Sequence, residues 1–205
     1  MAKYKLFYSP AACSLAVHAV LNAVGADFEL IETKITDGAN YSPDYLKYNA
    51  IGQIPVLVED EMVLKESAAI MIHLLDKAKS PLLPQDNEER IKAMQWLLFF
   101  NSSMHQTYSA YFLILRNLQG AGAEEAKTLI TKRIKKLWRY VEGEITSEFI
   151  AGSHPTAADI LMTVIANWLP HITPGVKVQN ICKKITEQPY FAKSLATEGI
   201  KYRGF

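Results

Sequence analysis

The sequence of 205 residues predicts an α+β protein, in which a small mixed-sheet domain precedes an all-helical domain. The first eighty residues alternate between strand-like and helix-like hydrophobic spacing, in the order β-α-β-α-β-β-α. Residues 79–87 are rich in Pro, Ser, Asp and Asn, as linkers are. Beyond residue 88 nothing resembles a strand. We therefore expect domains at residues 1–78 and 88–205, joined by a linker at residues 79–87.

Composition restricts the class of protein. A hydrophobic content of 49%, a charged content of 21% and a formal charge of +1 are ordinary for a globular chain and give no electrostatic case for nucleic acid or a membrane surface. No apolar run approaches the length of a membrane span, and the N-terminus lacks a signal-peptide pattern. Cys13 and Cys182 lie in different predicted domains and make no disulfide framework, so we expect a cytoplasmic protein.

The first domain begins with a strand at residues 3–9 and an amphipathic helix at residues 10–24. Pro10 lies just inside the start of this helix and Gly25 just past its end, an asymmetry that helices favour. Residues 27–35 alternate apolar and polar side chains, as a half-buried strand does. The rest of the domain is predicted as a polar loop at 36–40, a short helix at 42–48, a hairpin of strands 52–58 and 62–64, and a helix at 67–77.

The second domain is predicted to contain helices at residues 88–119, 124–146, 156–169, 178–186 and 190–195, the first a long stretch that could be bent. Thr156 and Asp159 have the spacing of a capping-box variant. A run of Lys and Arg at residues 132–139 is interpreted as the solvated face of its helix.

Cys13 and Ser14 stand at the start of the first predicted helix. Unpaired N–H groups and the helix dipole make such a position favourable for an anion. A thiol there is biased towards the thiolate, its reactive form. The alternative is that Cys13 is simply a small buried apolar residue.

Two further segments suggest a ligand site. Pro55 opens a predicted strand; a cis bond before it would turn the backbone of Ile54 outward, towards an extended peptide. Glu66 and Ser67 begin a helix that could receive a carboxylate, while Glu66 meets an ammonium group. The alternatives are a proline tolerated at a strand start and a Ser67 that only caps its helix.

The five histidines have no metal-ligand spacing with a nearby carboxylate or cysteine, so no metal site is expected. His105 lies within a helix among polar residues. Read alone, it is typical of a histidine whose hydrogen bonds are satisfied within the fold.

Four motifs occur in one order: Tyr-Ser-Pro-x-x-Cys-Ser from Tyr8, Asn-x-x-Gly-Gln-Ile-Pro from Asn49, Glu66-Ser67, and the Thr-x-x-Asp helix start at Thr156. The ordered set resembles the cytosolic glutathione transferases, and Cys13 points to the bacterial beta class. The resemblance covers nearly the whole chain. It implies a thioredoxin-like N-terminal domain, an all-helical C-terminal domain, a homodimer, glutathione as co-substrate and a role in detoxification.

Matching positions imply roles for individual residues. Cys13 would contact the glutathione sulfur and could form a mixed disulfide with it, with Tyr8 and Ser14 close by. Gln53 and Ile54 would hold the cysteinyl backbone, with Pro55 as the cis-proline, and Glu66 and Ser67 would bind the γ-glutamyl end. His105 would approach the sulfur. The wall of the pocket for a hydrophobic co-substrate would consist of Tyr108, Phe112 and Trp168.

Some positions depart from the family pattern. Leu98 and Ser103 stand where Asn and Glu are frequent, Gln106 replaces a common Lys, and Lys65 replaces a Thr before the Glu. The predicted hairpin is also one residue short. Leu98, Ser103 and Gln106 favour an alternative function, a non-enzymatic binding or scaffold protein of the same fold.

Two mechanisms remain open. An unperturbed thiol is about 3% ionised at pH 7, and a helix terminus contributes only about 0.3–1 kcal/mol of the roughly 2.7 kcal/mol needed to ionise it. A donor such as His105 or Tyr8 would supply the rest. Bound glutathione would then attack an electrophile; if Cys13 is itself the thiolate, glutathione disulfide exchange becomes the main reaction.

Overall fold

The computed structural model describes residues 3–33 and 42–204 and confirms the predicted fold class. The predicted loop at residues 36–40 lies outside this range. The strands are β1 (Tyr4–Tyr8), β2 (Phe28–Glu32), β3 (Val56–Glu59) and β4 (Met62–Lys65). The helices are α1 (Ser14–Ala23), α2 (Pro43–Leu46), α3 (Ser67–Lys77), α4 (Asn87–Phe99), α5 (His105–Asn117), α6 (Ala121–Glu144), α7 (Ala157–Ala166), α8 (Val176–Thr186) and α9 (Pro189–Thr197). A π-helical segment, Phe100–Met104, joins α4 to α5.

The four strands form one mixed sheet in the order β2-β1-β3-β4. β1 pairs in parallel with β2 through the α1 crossover, and the other pairs are antiparallel. Leu6 lies opposite Leu30 on one side and Leu57 on the other, and both Leu6 and Leu57 are fully buried. One βαβ unit followed by a hairpin therefore forms the sheet, as its sequence pattern predicts.

Packing divides the chain into two compact units. The first unit comprises residues 1–85 and 186–202, and the second comprises residues 86–185 and 203–205. In the first unit, α1 packs against α3 and α9. In the second, α4 packs against α7, and α5 packs against α6. Helix α9 thus belongs to the same unit as the sheet.

Helix α1 begins at Ser14, so the prediction of a helix from Pro10 is wrong. Ala11 has a φ of +62°, a left-handed conformation that cannot continue a right-handed helix. The Ser9 amide donates to Ser14 Oγ at 3.2 Å, and this hydroxyl donates to the Ser9 carbonyl at 3.1 Å. These bonds hold a turn between β1 and α1. Gly25, with φ +62°, follows the end of the helix as predicted.

Ser67 is the first residue of α3 rather than its N-cap, which corrects the capping prediction. Glu66 occupies the cap position with a φ of +69° and no side-chain capping bond. The hairpin is also shorter than predicted, because β3 begins at Val56 and the preceding residues form a turn with Gly52 at φ +71°.

The capping box that begins α7 is confirmed. Asp159 Oδ2 accepts from the Thr156 amide at 2.8 Å, and Oδ1 accepts from the Ile150 amide at 3.0 Å. Burial raises the pKa of the Asp159 carboxyl to about 6.

The basic run on α6 is a solvated face, because its members are all exposed: Lys132, Arg133, Lys135, Lys136 and Arg139. Among residues 3–33 and 42–204, no helix combines the length and apolar character that crossing a membrane requires.

Candidate functional site

Cys13 immediately precedes α1 and is only 5% exposed. Its Sγ atom donates a 3.5 Å hydrogen bond to the carbonyl oxygen of Ile54. The structure therefore brings together two segments that are 41 residues apart, the start of α1 and the turn before β3.

The Cys13 thiol is protonated at neutral pH. Burial, with a smaller contribution from the negative charge of Glu66, raises its pKa to about 12. Hydrogen bonds from the local backbone amides and from the Ser67 side chain lower the pKa, but they do not offset the desolvation. Of the two alternatives for Cys13, these contacts favour a small buried residue over a thiolate, because desolvation outweighs the helix-terminus effect.

The Ile54–Pro55 peptide bond is cis, which is the alternative that the family resemblance implies. The turn that carries it is held at the Gln53 carbonyl, which accepts hydrogen bonds from the Tyr45 hydroxyl and from Asn49 Nδ2, the latter at 2.7 Å. Sequence reasoning did not assign roles to Tyr45 and Asn49. Asn49 is the first residue of the Asn-x-x-Gly-Gln-Ile-Pro motif, and this position could have indicated a role for it in the sequence.

The remaining predicted residues of the first unit surround this turn or precede α1. Gln53 and Glu66 are exposed, whereas Ser67 is buried and its side chain hydrogen-bonds Cys13. Tyr8 ends β1, and burial together with the negative charges of Glu32 and Glu198 raises the pKa of its phenol. Tyr8 is thus a neutral hydrogen-bonding group at physiological pH.

The Ser14 hydroxyl is engaged on both of its hydrogen-bonding sides. It accepts from the Ser9 amide and donates to the Ser9 carbonyl. A hydroxyl has one proton to donate, so Ser14 stabilises the turn in this arrangement and has no second proton for a ligand.

In the second unit, four predicted site residues form an aromatic cluster that consists of His105, Tyr108, Phe112 and Trp168. The Trp168 ring lies 4.9 Å from the His105 ring, 5.6 Å from the Tyr108 ring and 6.2 Å from the Phe112 ring, measured between centroids. Three of these residues project from one side of α5, and the fourth follows α7.

Tyr108 has no exposed surface, and its hydroxyl accepts a 2.8 Å hydrogen bond from Trp138 Nε1. Burial raises the pKa of Tyr108 to about 12. His105 is partly buried, and burial lowers its pKa to about 4, so its imidazole is neutral at physiological pH. Sequence reasoning missed Trp138, which only the packing of α5 against α6 brings to Tyr108.

Arg203 holds the turn that carries Trp168. Its guanidinium donates to the carbonyls of Leu169 at 2.9 Å and Ile172 at 2.8 Å, and to that of Ala166. Its amide donates to Asn167 Oδ1 at 3.0 Å. The Ala166 carbonyl is one that the end of α7 leaves without a partner inside the helix, whereas the carbonyls of Leu169 and Ile172 belong to the turn that follows. The sequence contains no local signal for this contact, because Arg203 is 31 to 37 residues from its partners.

No group of three or more His, Cys, Asp or Glu side chains in the described part of the chain is arranged to hold a metal ion. The chemistry of the two groups of residues is that of thiol, phenol, imidazole and aromatic side chains.

Residues 2–76 match a family model described as the N-terminal domain of glutathione S-transferase. Glutathione S-transferase GST-4.5 of Xanthomonas campestris pv. campestris is 32% identical over 171 residues, which cover 80% of this chain and 81% of that protein. A sphingomonad glutathione S-transferase, solved in complex with glutathione, is 28% identical with a TM-score of 0.83, covering 96% of this chain and all of that one.

A beta-class glutathione S-transferase of Sphingomonas chungbukensis is 28% identical with a TM-score of 0.82, over 96% of this chain and all of that chain. The similarity to solved structures therefore extends through both compact units.

Proposed function

This chain belongs to the glutathione S-transferase family and is a glutathione transferase, and we propose that it joins the sulfur of glutathione to hydrophobic electrophiles while Cys13 remains a thiol. The observation that carries the proposal is the buried Cys13, whose Sγ lies 3.5 Å from the Ile54 carbonyl. A thiol with a pKa of about 12 is ionised in roughly one molecule in 10⁵ at pH 7, which favours glutathione itself as the nucleophile.

Glutathione binding in the first unit is supported by two backbone features and by two exposed side chains. The turn that ends at the cis Ile54–Pro55 bond can pair with an extended peptide, as strand-like ligands require. The start of α3 at Ser67 offers amide groups for the γ-glutamyl carboxylate. The exposed Glu66 carboxylate complements the ammonium group of the same residue of glutathione. Gln53 is exposed beside this turn and is assigned to the cysteinyl backbone.

We propose that Cys13 and Tyr8 contact the sulfur of glutathione. To donate to a glutathione thiolate, the Cys13 S–H would exchange its long 3.5 Å bond to the Ile54 carbonyl for one to the sulfur, and the neutral Tyr8 phenol is a second donor. Glutathione loses its thiol proton to solvent, and a sulfur lone pair forms the new bond to the electrophile, which expels its leaving group or, in an addition, takes up a proton from solvent. Ser14 is a positioning residue in this scheme, because its proton is committed to Ser9.

The aromatic cluster is assigned to the hydrophobic electrophile. Phe112 and Trp168 offer partly exposed ring surface, whereas the fully buried Tyr108 supports them from behind. The assignment of His105 to the sulfur stays a prediction. As a neutral imidazole, His105 would act by hydrogen bonding rather than by charge.

We place the protein in the beta class, as a cytoplasmic homodimer with a role in detoxification. Cys13 and the similarity to the Sphingomonas chungbukensis protein support the class. Exposed apolar side chains support the proposed association with a second copy of the chain: Ile51 is 78% exposed, Ile91 56% and Leu98 46%. The net charge of +1 supports neither nucleic acid nor anionic membrane as a partner.

The test combines glutathione titration with two activity assays. We expect micromolar to low-millimolar binding of glutathione to the reduced protein by calorimetry, weakened by Glu66→Ala. Cys13→Ala should keep most conjugation of glutathione to an aromatic electrophile. Cys182→Ala is the matched control, since it removes the other buried thiol.

Glutathione disulfide exchange is the second candidate, and it requires Cys13. In that reaction the Cys13 sulfur attacks the disulfide, forms a mixed disulfide and releases one glutathione. Loss of both activities in Cys13→Ala, with binding and folding intact, would overturn the proposal in favour of exchange. No glutathione binding at several millimolar, checked by a second method, would instead favour the binding or scaffold function.

A further inference from the structure

Glu198 is a buried carboxylate that follows α9 in the first unit. One of its oxygens lies 2.8 Å from Nδ1 of His18 in α1, and the other accepts a 3.2 Å hydrogen bond from the Ala11 amide. The side chains of His18 and Glu198 are 1% and 0% exposed. In the tautomer that carries its proton on Nδ1, His18 donates this hydrogen bond to Glu198.

The Ala11 contact has a conformational consequence. Ala11 has a φ of +62°, a conformation that residues with a Cβ atom adopt rarely and only where their surroundings enforce it. Ala11 is two residues before Cys13. The Glu198 bond acts on the amide of the strained residue itself, whereas the Ser9–Ser14 bonds close the turn around it.

His18 orients the carboxylate. His18 lies in α1, and its ring packs edge-on against Phe28 of β2 at 5.5 Å between centroids. The carboxylate is therefore held by the helix whose N-terminal turn it supports. Glu198 also lies close enough to Tyr8 for its charge to contribute to the raised pKa of that phenol.

We propose that Glu198, oriented by His18, is a positioning residue for glutathione, because its carboxylate holds Ala11 and thereby the backbone between Tyr8 and Cys13. The inference rests on the proposed function. Glu198 touches neither glutathione nor the reacting atoms. Removing its carboxylate relaxes Ala11 and shifts the start of α1. We therefore expect a lower affinity for glutathione and an unchanged affinity for the electrophile.

The first experiment compares Glu198→Met, Glu198→Gln and Ser194→Ala. Ser194 Oγ accepts a 2.8 Å hydrogen bond from Asn22 Nδ2, so Ser194→Ala breaks another bond between α1 and α9 at a distance from the turn. We expect Glu198→Met to raise the Kd and KM for glutathione about tenfold, equivalent to about 1.4 kcal/mol, with the electrophile KM unchanged. Ser194→Ala should leave both KM values unchanged.

Glu198→Gln keeps one acceptor for the Ala11 amide, because His18 can switch tautomer and accept from the Gln NH₂ group. Its glutathione KM should therefore rise less than that of Glu198→Met. If Glu198→Met fails to fold, Glu198→Gln provides the test of the inference. The inference would be overturned if the glutathione KM of both Glu198 variants stayed within twofold of wild type. It would also be overturned if Ser194→Ala raised that KM as much as Glu198→Met does.

Rescue distinguishes positioning from general destabilisation. Glycine adopts a positive φ without steric cost, so Ala11→Gly should restore at least about half of the glutathione affinity lost in Glu198→Met, without restoring its melting temperature fully. No rescue would contradict the role assigned to Ala11. Wild-type protein is titrated in the same series: absence of binding there overturns the proposed function, whereas wild-type binding that Glu198→Met leaves unchanged overturns only this inference.

Discussion

The indole nitrogen of Trp138 donates a 2.8 Å hydrogen bond to the hydroxyl of Tyr108, and both side chains are buried. We expect Tyr108→Phe to lower the free energy of unfolding by about 1–3 kcal/mol, because it leaves the Trp138 N–H buried without an acceptor. Urea denaturation measures the change. Tyr140→Phe, at a 45% exposed position, is the matched control and should cost less than about 0.5 kcal/mol. Equal stability of Tyr108→Phe and wild type would contradict the interpretation.

Cys13 should resist alkylation in the folded protein. In a Cys182→Ala background, where Cys13 is the remaining cysteine, the pKa of about 12 predicts a reaction with iodoacetamide at pH 8 that is roughly 10³-fold slower than that of a free thiol. The rate should rise with pH through pH 10 and recover fully in urea. A fast reaction at pH 8 in folded protein would show that the thiolate is accessible after all.

His105 should make the protein less stable in acid. Its pKa is lowered from 6.5 to about 4 by burial, so between these pH values the unfolded chain binds more protons than the folded one, and stability falls as the pH falls. His105→Gln removes this contribution. Relative to that variant, wild type should lose up to about 3 kcal/mol between pH 6.5 and pH 4.

Chemical denaturation across that pH range provides the measurement. The exposed His154 is the control, and His154→Gln should retain the wild-type pH dependence. Parallel curves for wild type and His105→Gln would mean that burial does not shift the His105 pKa.

Replacing Arg203 should weaken the binding of the electrophile but not the binding of glutathione. Arg203→Met leaves the carbonyls of Leu169 and Ile172 without their charged donor and loosens the turn that carries Trp168. We expect a loss of about 1.5–3 kcal/mol in stability and a higher KM for an aromatic electrophile, with the glutathione KM unchanged. Steady-state kinetics with each substrate varied in turn tests this split. The exposed neighbour Lys201→Met should change neither constant, and a rise in both KM values for Arg203→Met would refute the assignment.

The spacing of hydrophobic residues was sufficient to predict the fold class. Apolar residues alternate along a half-buried strand and recur every three to four residues along a helix, so each element could be recognised from its own residues. The capping box at Thr156 was predictable because it is local. The cis bond before Pro55 was not, because a proline at a strand start fits either isomer, and only the family resemblance implied it. The start of α1 was not, because it depends on Ala11, whose amide meets a carboxylate 187 residues away. The protonation state of Cys13 was missed because burial by distant segments, such as the turn at Ile54, outweighs its position at a helix start.

The π-helical segment at Phe100–Met104 sets the direction in which α5 presents its side chains. A π turn spans one residue more than an α turn, and each α-helical residue advances the direction by about 100°. Deleting Ser102, an exposed residue whose hydroxyl only bonds its own helix, would look harmless from composition. The deletion would close the π turn into an α turn, which spans one residue fewer, so α5 would keep its direction. The same deletion in the regular part of α5, between His105 and Phe112, would rotate the residues after it by about 100° and carry Phe112 away from Trp168. The number of residues in the regular part of α5 is therefore as constrained as their identity, because an insertion or deletion there would change which aromatic side chains lie beside Trp168.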